Sequence, residues 1–115
     1  MKTRLIVNFQ VEGLHQWRDA KKVVPPMGFL SDKHRHLFYI TVVIDVNDLD
    51  REIEFIAFKQ KLTKFVEYHW YDEYTGMCDF GGMSCEMIAK EILQAFAAHK
   101  VRVMEDNENG AEVEA

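Results

Sequence analysis

Apolar and polar positions alternate along residues 3–11. Leu5, Val7 and Phe9 fall on one side and Arg4, Ile6 and Asn8 on the other, the period of a half-buried β-strand. Gly13 is expected to end this strand, with His15 directly behind it. The alternation is lost over residues 20–28, where Lys21-Lys22 and Pro25-Pro26 predict a loop. The β-branched and aromatic run from Tyr39 to Ile44 predicts a second strand over residues 36–46. Residues 45–50, rich in Asp and Asn, predict a turn, and residues 51–55 a short strand leading into a helix.

From there the apolar spacing becomes helical. Phe55, Phe58, Leu62, Phe65 and Val66 share one face, which predicts a helix over residues 55–68. Residues 67–82 read as an irregular loop, aromatic at its front (Tyr68, Trp70, Tyr71, Tyr74) and glycine-rich at its end. Ser84 is a suitable N-cap for a second helix, whose apolar face (Met87, Ile88, Ile92, Ala95, Phe96) is broken by Glu91. Residues 101–104 predict a last strand, and the polar residues 106–115 a partly frayed tail. The order β-β-(β)-α-α-β predicts one α+β domain over residues 1–115, an antiparallel sheet with two helices packed on one face.

Composition narrows the function more than the fold. The chain has 115 residues, enough for a core of its own, and 48% of them are hydrophobic. A net charge of -5, part of it in the acidic tail, argues against a general nucleic-acid binder. No apolar run approaches a membrane span and no secretory signal pattern opens the chain. Cys78 and Cys85 stand alone, so neither a disulfide framework nor a four-cysteine zinc site is expected; both read as small packing residues of a reduced, cytoplasmic protein.

The chemistry lies in the histidines. On a strand, residues i and i+2 face the same way, so His34 and His36 converge if the second strand already begins at His34. Two imidazoles on a rigid strand are two thirds of a three-histidine catalytic zinc site, and His15 is the candidate for the third. The plain alternative is a set of surface or packing histidines, and His99, near a helix end, reads simply as a favourable end charge.

The order of elements and motifs resembles the T-fold enzymes of pterin chemistry, 6-pyruvoyl-tetrahydropterin synthase and the 6-carboxytetrahydropterin synthase of queuosine biosynthesis. Five stretches carry the likeness. Phe9-Gln10-Val11-Glu12-Gly13-Leu14-His15 stands where the family has F-x-x-A-H-x-L, with two extra residues before the histidine. His34-Arg35-His36-Leu37-Phe38 stands at H-G-H-x-Y/F, and Glu54-Phe55-Ile56-Ala57-Phe58-Lys59 at D-F-x-x-L-K. Met83-Ser84-Cys85-Glu86 stands at P-T-S-E, and Val101-Arg102-Val103-Met104-Glu105-Asp106 at V-x-V-x-E-T. The resemblance implies zinc on His15, His34 and His36, and a pterin ring anchored by Glu105, with Glu86 as a second ligand-binding residue. It also implies a carbon–oxygen lyase acting on dihydroneopterin triphosphate, and oligomers, trimers or hexamers, whose sheets join edge to edge into barrels.

The departures fall on proton transfer. The family's acid-base cysteine, four residues before the first His of H-G-H, is Leu30 here, with the Asp32 carboxylate nearby. The family's Asp-His pair has no counterpart in register; His69 is close enough to substitute, beside Tyr68. Arg35 replaces the glycine between the two zinc histidines. His69 and Asp32 are therefore the candidate catalytic residues. The rival readings are a binding module that holds a pterin or purine nucleotide without turning it over, and a structural oligomer with Arg35 filling the metal cavity.

Overall fold

Two long strands carry the sheet. In the computed structural model, which describes residues 1–115, β1 (Thr3–His15) runs antiparallel to β2 (His34–Val46), from Thr3 opposite Val46 to His15 opposite His34. On the far side of β2 lies β5 (Lys100–Glu105), then β6 (Asn109–Glu114). On the far side of β1, β4 (Met77–Asp79) meets only Gly13 and Leu14, and β3 (Tyr71–Asp72) pairs with β4. The result is an open six-stranded sheet in the order β3-β4-β1-β2-β5-β6 within a mixed α+β fold. One pair departs from the expected antiparallel pattern: β4 lies parallel to β1, because the whole of α2 (Phe55–Trp70) carries the chain back across the sheet before β4 begins.

α2 and α3 (Cys85–Phe96) cover one face. Phe58, Leu62 and Val66 from α2 and Ile88, Ala89 and Ile92 from α3 bury against Val7, Phe9, Val11, Phe38, Ile40, Val42, Val101 and Val103. Burying these side chains supplies the main stabilisation of the fold. Each helix begins on a side-chain cap: the Glu54 carboxylate accepts from the N–H of Ile56 and Ala57, and Ser84 Oγ from the N–H of Met87. No helix is long and apolar enough to cross a membrane.

Several boundaries differ from the expectation. β1 does not stop at Gly13 but continues to His15. The glycine serves packing, since a Cβ there would lie 2.6 Å from Cε2 of the buried Phe80 ring. β2 starts at His34, two residues early. Residues 20–28 are not plain loop: they hold α1 (Ala20–Val23) and most of a 3-10 turn over Pro25–Ser31. Residues 51–53 form turn rather than strand, and the Glu52 carboxylate accepts from the N–H of Asn47 and Asp48. α2 extends to Trp70, and part of the expected loop is the β3–β4 hairpin.

The tail is the largest correction. Asp106 and Asn107 adopt left-handed φ values of 54° and 58°, and the Glu108 N–H closes the turn on the Glu105 carbonyl at 2.9 Å. Asp and Asn tolerate that region better than other side chains, so the chain reverses into β6 and rests Ala111 and Val113 on the core.

Candidate metal centre

The face that buries the core becomes polar at one end of the sheet. On β1, Val7, Phe9 and Val11 point to the helices, and the same period carries Gly13 and His15 to that side. On β2 the series Val42, Ile40, Phe38 continues to His36 and His34; on β5, Val101 and Val103 lead to Glu105. Cross-strand register then does the rest. His15 lies opposite His34, Gly13 opposite His36, and Phe38 opposite Glu105. The three histidines offer ligand atoms all within 4.8 Å of one another, with ring centroids 4.6 Å (His15–His34), 5.3 Å (His15–His36) and 5.0 Å (His34–His36) apart.

Each imidazole is held by one nitrogen. His15 Nδ1 lies 3.0 Å from the Met83 carbonyl, His34 Nδ1 2.9 Å from the Asp32 carbonyl, and His36 Nδ1 2.7 Å from Asp106 Oδ2. A carbonyl or carboxylate oxygen only accepts, so Nδ1 carries the hydrogen and Nε2 is left with its lone pair. This is the outer-shell pattern of metal-binding histidines, in which the second nitrogen is fixed by an oxygen so that the first can ligate. His15 Nε2 is buried and makes no hydrogen bond. Glu105 Oε2 lies 2.9 Å away but off the line of an Nε2–H bond, so the two groups attract only through a cation held between or on them. A buried, orphaned ring nitrogen beside two others and a carboxylate is a donor set that fits zinc.

Charge pairing sets the protonation preferences within the cluster. Burial pulls the His15 pKa down, but the Glu105 carboxylate and the Met83 carbonyl outweigh it and hold it above the ordinary 6.5. His15, with help from His36, holds the Glu105 carboxyl below its ordinary range against the effect of burial. Asp106 is lowered by the Leu37 N–H, 3.0 Å from its Oδ1, and by His36. Outside the cluster, Lys33 lowers Asp79 by a contact that ties the segment before β2 to the one before α3.

A cleft of about 580 Å³ opens on the histidines, walled by Trp17, Leu30, Met83, Cys85 and Glu86. Glu86 thus lies on the cleft, in the first turn of α3. Cys85 is more than packing: its Sγ donates to Glu105 Oε2 at 3.7 Å, and burial first, then the negative Glu105, push its thiol up to about 12. Cys78 is a core residue.

Three expected placements change. Asp32 serves through its carbonyl, which orients His34, and its side chain does not line the cleft. His69 is not brought to the cluster; it lies on exposed helix near the end of α2, with Nδ1 bonded to the Phe65 carbonyl. Arg35 does not fill the metal cavity, because the residue between i and i+2 points to the opposite face, where it pairs with Glu12. Sequence reasoning missed Asp106, Met83 and Cys85 as supports of the cluster. Of these only Asp106 left a local signal, the Asp-Asn pair at a chain reversal.

No protein-family model matches the chain, and no curated protein matches it significantly. Among solved structures, an uncharacterized protein from Wolinella succinogenes is similar over 99% of this chain and 98% of its own length, with a TM-score of 0.59 at 12% sequence identity. That likeness concerns the fold alone. The class defined here is an α+β protein with an open, mostly antiparallel sheet and a three-histidine cluster able to hold a metal ion.

Proposed function

We propose that the chain is a zinc protein of the T-fold kind, similar to 6-pyruvoyl- and 6-carboxytetrahydropterin synthases, whose cleft receives a pterin-like or purine-like ring. One observation carries the reading: three imidazoles, each fixed through Nδ1 by an oxygen, offer ligand atoms within 4.8 Å of one another. His15, His34 and His36 hold the metal. A bound zinc supplies Lewis acidity toward hydroxyl groups on the ligand's side chain. Glu105 receives the ring's N–H edge, because a carboxylate accepts two parallel hydrogen bonds. Trp17 and Leu30 give the ring an apolar wall. If the ligand is a reduced pterin triphosphate, the reaction class is carbon–oxygen elimination.

Oligomerisation belongs to the same reading. The outer edge of β1 is unpaired over residues 3–12 and β6 ends the sheet on the other side, so both edges are free to join further copies. Two free thiols suit a reducing compartment such as the cytoplasm.

A second reading has its own support. Leu30 lines the cleft where the resemblance places an acid-base cysteine, which favours a module that binds the ring without turning it over. Zinc per chain, measured on protein purified without chelator, tests the shared premise. About one zinc per chain, lost in His34→Ala, is expected; no zinc in the folded wild-type protein overturns both readings. Turnover of dihydroneopterin triphosphate then separates the enzyme from the module.

A further inference from the structure

We propose that in the ligand-free protein Glu105 is the fourth ligand of the metal, so that a ring entering the cleft opens the centre by taking that carboxylate away. The inference rests on the metal reading above and deepens it. In a tetrahedral site with bonds of about 2.0–2.2 Å, neighbouring ligand atoms stand about 3.3–3.6 Å apart. Glu105 Oε2 lies 2.9 Å from His15 Nε2 and the other oxygen, Oε1, lies 3.6 Å from His36 Nε2, so the carboxylate stands near ligand spacing from two of the three histidines. The histidine ligand atoms lie within 4.8 Å of one another, so the set contracts when an ion is bound.

A proton on His15 Nε2 would be poorly aligned with Glu105. The oxygen stands off the N–H direction and the buried Nε2 makes no hydrogen bond, whereas a ligand pair around a common cation is expected to be off-line in this way. The carboxylate is also placed rather than wandering. It projects from β5 on the face shared with the histidines, and Cys85 Sγ donates to Oε2 at 3.7 Å.

The consequence is a choice between partners. Three protein ligands leave a metal open to substrate, and a fourth closes it. Glu105 turned with both oxygens along a ring's N–H edge, as two parallel hydrogen bonds require, is drawn off the metal. A molecule presenting those donors draws the carboxylate off and vacates a coordination position in the same movement. A molecule lacking them meets a closed centre. Selection for the ring and access to the metal are thus one event.

Cobalt(II), whose visible bands report the ligand set, tests this on the full chain with no small molecule present. Glu105→Gln is expected to change the position and intensity of the bands and to weaken cobalt binding about tenfold or more. Glu105→Asp, too short to reach, is expected to behave alike, and circular dichroism checks that both variants are folded. Identical bands and affinity in wild type and either folded variant overturn the proposal while leaving the three-histidine centre standing. Failure of the wild-type protein to bind cobalt or zinc overturns the metal reading and this proposal with it.

Discussion

Histidine and carboxylate meet at both ends of this sheet, with different results. At one end His99 faces Glu114 through Nε2 at 3.3 Å and Asp45 through Nδ1 at 3.7 Å. Each nitrogen has its own carboxylate partner, and neither is left over. At the other end, His15, His34 and His36 are each engaged through Nδ1, and the three offer ligand atoms within 4.8 Å of one another. The proximity of a histidine to acids therefore says little. A ligand set appears when one nitrogen is fixed by an acceptor and the other is left facing its neighbours. His69 marks a further limit, with one nitrogen fixed to the Phe65 carbonyl but no companion imidazole across from it.

The sharpest way to break the comparison is to truncate one histidine at each end. His36→Ala should lower zinc affinity by about two orders of magnitude or more, since it removes a ligand outright. His99→Ala should leave zinc binding unchanged. Equal losses in a competition titration against a chelator would erase the distinction between the two ends. A smaller effect is expected at Asp106, which is not one of the three candidate ligands but orients His36 from 2.7 Å and receives the Leu37 N–H. Asp106→Ala should weaken zinc by about 10–100-fold, the usual cost of an outer-shell partner, and unchanged affinity would remove it from the centre.

The smallest expected effect is in pH, and its sign is diagnostic. The folded pKa of His15 lies above the ordinary 6.5 because of Glu105 and the Met83 carbonyl. In chelator-treated protein this histidine's contribution to stability is fully present below that ordinary value and is lost as pH rises through the folded one. In zinc-loaded protein the ligands must be neutral, so stability is lost as pH falls through the same window. Melting temperatures of the two forms between about pH 5.5 and about pH 8.5 should slope in opposite directions across that window. Parallel slopes would mean that the histidine cluster does not bind the metal.

Much of the architecture was legible where side-chain period and burial coincide. The alternation through Val7 and Phe9, and the helical stripe Phe58, Leu62 and Val66, point to one buried face because each element has a single way to hide its apolar side. The His34-x-His36 pair was legible for the same reason, as strand geometry alone sets them on one side. Less legible were the ends of elements and the tail. Gly13 looks like a terminator until the buried Phe80 is seen to need its missing Cβ. The polar composition of residues 106–115 looks like solvent-exposed tail because the edge strand β6 buries only Ala111 and Val113, and those only in part.

By itself, then, the sequence determined the local terms: where the two long strands and the two long helices lie, which side of each is apolar, and that two histidines share a strand face. These follow from the periods of the backbone and from side-chain chemistry within a few residues. Tertiary structure alone decided that His15 stands opposite His34, that Glu105 stops within 2.9 Å of His15, and that Asp106 reaches back to His36. Those outcomes depend on strand register and on a turn closing β5 onto β6. Register is a property of the whole packed sheet, where a slip of one residue would send every one of these side chains to the opposite face.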